Sequence, residues 1–141
     1  MMIHYILRLI VAMVLSAAVG FEREKQDKPA GLRDTMLVCL GAALCAIMSL
    51  RLKDVTGVGY DAARILSYTI ASIGFLGSGV IIHHKGNVEG VTTAALLWTM
   101  VTVGLMCGLG EYVLAIVATV FVYGILKLKH LTDKEAGNGN K

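Results

Sequence analysis

The sequence predicts an all-α, polytopic transmembrane bundle of about five helices, and two observations carry that prediction. The chain of 141 residues is 56% hydrophobic but only 16% charged, where a soluble domain carries roughly 25% charged residues. Its apolar residues also fall in runs of membrane length, about 20 residues being enough to cross a bilayer as a helix. The sixteen glycines are spread through those runs, and there is one proline. Small residues at that density let membrane helices pack closely.

The first span runs from Ile3 to Phe21, interrupted by His4 and Arg8. The second covers Thr35 to Leu50 and is extended by Arg51, whose stem can snorkel to the interface. Ile65 to Ile82 forms the third and carries no charge. From Gly90 to Leu126 Glu111 is the only charge, and at about 1.5 Å per residue this stretch makes close to two crossings. Gly108-Leu109-Gly110-Glu111 supplies the turn between them, so a fourth helix ends near Leu109 and a fifth runs from Tyr112 to about Leu128. Residues 1–130 form one membrane domain, and 131–141 read as a polar, disordered tail. Ser16-Ala17-Ala18 looks like a signal-cleavage site, but Arg8 sits late for such a signal and a charged loop follows at once. The segment therefore reads as a retained helix.

Loop charges orient the bundle. Arg23, Lys25, Lys28, Arg33, Lys85, Lys127, Lys129, Lys134 and Lys141 fall on one side; Arg8, Arg51, Lys53 and Arg64 fall on the other. That places the N-terminus outside and the C-terminus in the cytoplasm, as expected of a multi-pass protein of the bacterial inner membrane. A net charge of +3, scattered in this way, gives no reason to expect nucleic acid. The three cysteines, Cys39, Cys45 and Cys107, lie inside apolar runs without CxxC spacing and read as small core residues. There is no recognisable catalytic triad, nucleotide loop or HExxH, so neither an enzyme nor a cofactor is indicated.

The distinctive polar residues lie at helix ends. Glu22 and Glu24 alternate with Arg23 and Lys25; with Arg33 they form either a cluster for a partner or a hard cation, or a solvated loop. Asp61 and Arg64 share a helical face at the outer end of helix 3, as a structural pair or part of a buried polar site. Glu89 precedes helix 4. Gly74, Gly77 and Gly79 in helix 3 permit close approach, as do Gly104 and Gly108 in helix 4 and the Ser16/Gly20 pair in helix 1, within the monomer or at a homodimer seam. His83 and His84 are adjacent, and on a helix they would diverge by about 100° and could not chelate together. Whether any metal binds is left open.

Several of these segments resemble the MgtC/SapB family of bacterial membrane proteins, over its hydrophobic N-terminal domain. The residues concerned are Gly20, Glu22, Arg23 and Glu24; Pro29-Ala30-Gly31-Leu32-Arg33; and Leu37 through Leu44. Asp61 and Arg64 follow, then Gly74-Phe75-Leu76-Gly77-Ser78-Gly79-Val80-Ile81 and Val88-Glu89-Gly90-Val91-Thr92-Thr93-Ala94-Ala95, with Trp98 last. Where the family often has Thr-His after its Gly-Leu-Arg, this chain has Asp34-Thr35. A soluble C-terminal domain carried by many members is not expected here. The resemblance implies a protein linked to magnesium limitation and, in pathogens, to virulence through survival inside host cells. It implies a regulator that contacts other membrane proteins, ATP synthase among them; a small oligomeric transporter or channel for magnesium or another cation is the alternative.

Overall fold

A computed structural model describes residues 2–56, 61–84 and 87–138. Five helices follow one another: α1 Met2–Lys25, α2 Leu32–Thr56, α3 Ala62–Val80, α4 Val91–Leu109 and α5 Tyr112–Asn138. Between α3 and α4 lies an antiparallel hairpin, β1 Ile82–His84 with β2 Asn87–Glu89, paired Ile82 to Glu89 and His83 to Val88. The sequence reading has only a loop there. His83 and His84 are thus strand neighbours rather than helix neighbours. α5 continues through Asn138, over residues 131–138 that the sequence reading assigns to the polar tail. Lys85, counted in the loop charge, and residues 139–141 lie outside the described residues.

Among the described residues four helices are long and apolar enough to cross a bilayer, and α5 contributes a shorter apolar stretch, Tyr112–Leu128. Successive helices run in opposite directions. One end of the bundle therefore holds the start of α1, the ends of α2 and α4, and the start of α3; there Arg8 meets Gly108 and Ser49 meets Ala62. The other end holds Arg23 of α1 beside Thr93 of α4, and Gly90 against Val80. The two segments singled out in the sequence, Gly20–Asp34 and the stretch around Glu89, do lie at one end of the bundle.

α4 is the central helix, packed against the other four. Its contact with α2 is built from small residues. A Cβ on Gly104 would strike the Cys39 carbonyl and Ala42, and one on Gly108 would come within 2.5 Å of the Ala43 carbonyl. The same device seats α1 on α2, where a Cβ on Gly20 would hit Thr35 and lie 2.7 Å from the Leu32 Cα. With no side chain between them the backbones approach closely, which is how helices associate where lipid removes the hydrophobic drive. Around these seams sit Ala12, Val19, Met100 and Val103, with the buried Cys39 and Cys107; all three cysteines are free thiols.

The outside is apolar instead of charged: Phe21, Phe75, Val113 and Phe121 all face outward, Phe75 at 84% exposure. In water such a surface would drive aggregation; against acyl chains it is the surface a membrane helix needs. The Ser and Thr hydroxyls on α3 bond their own helix, Ser67 to the Ala63 carbonyl and Thr69 to that of Ile65, each at 2.8 Å, so these groups are satisfied without water.

Candidate functional site

The end of α1 organises the polar end of the bundle. Successive residues of a helix point about 100° apart, so Glu22, Arg23 and Glu24 reach three different neighbours. Glu22 turns towards α5, accepting from the Tyr123 hydroxyl at 3.5 Å and from Gln26 Nε2 at 3.0 Å. Glu24 faces the next helix, its Oε2 accepting the Leu32 amide at 2.9 Å and capping the start of α2. Arg23 points inward and is 6% exposed. Its Nη2 donates to the Thr93 hydroxyl of α4 at 2.6 Å and to the Pro29 carbonyl at 3.0 Å.

The loop that follows is set by its backbone. The Lys28 amide returns to the Arg23 carbonyl and the Asp27 amide to that of Glu24, both at 3.1 Å. These two bonds make a Schellman ending, with Asp27 in the left-handed region at φ 50. Ala30 is also left-handed, at φ 55. α4 ends in the same motif, with Gly110 at φ 94 in the equivalent place.

Beside Arg23 is a cavity of about 470 Å³ between the α1 end, β2, the start of α4 and α5. Arg23, Lys28, Glu89, Thr92 and Thr93 are among its lining, with Ile125 and Leu126 forming an apolar wall. α4 begins here at Gly90, at φ 88, without a side-chain cap. Gly90 is required twice over, by that conformation and because a Cβ would collide with the Val80 carbonyl. The Nε of Arg23 is buried with no partner.

The expected cluster is only partly assembled. Arg33 is exposed and makes no bond to Glu22 or Glu24. Asp61 and Arg64 lie at the opposite end of the bundle and are joined through the backbone rather than by an ion pair. The Asp61 carboxylate caps α3 by accepting the Ala63 amide at 3.1 Å, and the Arg64 amide bonds the Asp61 carbonyl. Of the α3 glycines, Gly77 is buried 3.6 Å from Ala94, whereas Gly74 and Gly79 face open space. Among the described residues no three His, Cys, Asp or Glu side chains gather as a metal site would need. The sequence reading missed Thr93 and Tyr123 as partners, and no local signal marks contacts 70 and 101 residues apart. At the family's histidine position Thr35 is buried, its hydroxyl within reach of the Ser16, Gly31 and Leu32 carbonyls.

The sequence is similar to several known proteins. The MgtC protein of Salmonella typhimurium strain 14028s is 40% identical over 122 residues, covering 86% of this chain and 51% of that protein. YhiD of Escherichia coli K12, named as a candidate magnesium transporter, is 37% identical over 131 residues, 90% of this chain and 61% of its own. A Haemophilus influenzae protein is 31% identical over 133 residues. The chain thus spans about half the length of the MgtC relatives it matches, and no solved structure matches it. The model of the MgtC family matches residues 9–134; the chain belongs to the MgtC family.

Proposed function

We propose that this chain is a regulatory protein of the bacterial cytoplasmic membrane that acts by packing against helices of other membrane proteins. The outward face of α3 carries this reading. α3 buries only Ile73 and Gly77, and it presents Gly74, Ser78 and Gly79 beside Phe75 to the bilayer, with open space at both outer glycines. Small residues on a lipid-facing helix let another helix approach to backbone contact. The carboxylates a cation would want are engaged elsewhere: Glu24 caps α2 and Glu22 holds Gln26 and Tyr123. From the resemblance, ATP synthase is the first partner to test, and magnesium limitation the condition.

The name of the Escherichia coli relative favours a second reading, cation transport. One experiment separates the two. Magnesium flux is measured in liposomes holding the purified chain, beside its Glu22→Ala, Asp61→Ala double variant, and a photo-crosslinker is placed at Phe75 in native membranes. The regulatory reading expects no saturable flux and a discrete Phe75 adduct with another membrane protein. Saturable flux lost in the double variant would replace it with transport.

A further inference from the structure

We propose that the cavity beside Arg23 binds a phosphate group, held by the Arg23 guanidinium, Lys28 and the first-turn amides of α4. The charge balance around Arg23 points to an anion. The start of a helix carries roughly half a positive charge, and α4 begins here with no side chain capping it. The amides of Val91, Thr92 and Thr93 have no partner; the first amide of α4 to find one is Ala94, bonded to the Gly90 carbonyl at 2.9 Å. Into this positive end the fold pushes Arg23, 6% exposed, and sets Lys28 at the rim. Among the described residues Arg23 has no carboxylate within ion-pair distance; its partners are a hydroxyl and a carbonyl, and its Nε has none. A buried cation at the positive end of a helix is doubly unfavourable unless an anion joins it.

Phosphate is the anion that fits. It accepts from backbone amides at a helix start, and it offers several oxygens to a guanidinium while a lysine contributes a point charge. Glu89 also lines the cavity; its single charge is outweighed by two cations and the helix end, and it sets one wall against over-large anions. The cavity opens at the level where the apolar stretch of α5 finishes, and Ile125 and Leu126 form one wall. That position suits the phosphate of an anionic lipid whose chains run down α5. A free phosphate would use the same donors without the apolar wall.

The test uses the full chain, stripped of lipid in detergent and then offered phosphatidylglycerol, phosphatidylcholine or inorganic phosphate. Bound lipid per chain and the melting temperature are measured. Two surface variants keep the fold. Lys28→Gln removes the rim charge, and Thr92→Glu places a carboxylate in the first turn of α4, where a helix favours it. Preferential retention of phosphatidylglycerol is expected, weakened about tenfold in Lys28→Gln, the scale of one charge-assisted contact, and abolished in Thr92→Glu. Stabilisation by inorganic phosphate without lipid preference would uphold the site and identify a soluble ligand. Equal retention of both lipids, no shift with phosphate and no effect of Thr92→Glu would overturn the proposal.

Discussion

Arg8 and Arg23 sit on the same helix and both reach across to α4, but they meet opposite ends of it. Arg8 donates to the Gly108 carbonyl at 2.7 Å, at the negative end of the α4 dipole, and its guanidinium lies 5.6 Å from the Tyr5 ring. Arg23 donates to the Thr93 hydroxyl at the positive end. Each leaves its Nε buried and unpartnered. The Arg8 end therefore sets a cation on the carbonyl end of α4, a favourable pairing with the helix dipole. The Arg23 end is fixed in shape but short of negative charge. One clamp serves structure, and its counterpart is poised for a ligand.

The comparison can be broken most severely at the frame both clamps depend on. Gly108→Leu should cost about 3 kcal/mol or more, because the Ala43 backbone and Ala46 cannot retreat together. The buried thiols of Cys39 and Cys107 would then label rapidly, which a maleimide time course reads directly. Next in size is Arg23→Met, expected to cost about 2–3 kcal/mol in anionic lipid, where two hydrogen bonds and an anion contact are lost. In zwitterionic detergent the same change should cost far less, since it also removes an uncompensated buried charge. Thermal unfolding in the two media checks this, and equal losses would make Arg23 a purely structural group.

Arg8→Met sharpens the contrast. It should cost about 1 kcal/mol, the size of a helix-end charge interaction, with no dependence on lipid charge. The smallest effect has the opposite sign. Asp27 occupies the left-handed position that Gly110 fills at the end of α4, so Asp27→Gly should stabilise the α1 ending by about 0.5–1 kcal/mol. A loss of stability on that change would mean that the Asp27 side chain holds the loop in some other way.

The helices were legible because membrane length and hydropathy are local properties: each apolar run became a helix, with most ends displaced by a few residues and α5 running on past Leu128 to Asn138. α2 starts at Leu32 instead of Thr35 because Glu24 caps it from the preceding helix. The hairpin was hidden because its strands are three residues long and stand between two spans, where a loop reads equally well. In the site, Glu22, Arg23 and Glu24 were recognisable as unusual, but their roles were not. Alternating charges left open a cluster with Arg33 or a solvated loop, whereas the helix turn sends the three side chains to three neighbours and leaves Arg33 exposed. Asp61 and Arg64 invited pairing by their spacing, yet the α3 start uses the Asp61 carboxylate as a cap.

By itself the sequence determined the class of protein, the number of helices and the end of the bundle at which its charged loops gather. All of these follow from how long an apolar run is and where it stops. Only the tertiary structure decided which small residues lie in a seam and which face lipid, separating Gly104 and Gly108 from Gly74 and Gly79. It alone placed Arg23 at the start of α4 beside Thr93. Those outcomes depend on contacts between helices far apart in the chain, and the pattern along any single helix does not specify its neighbour.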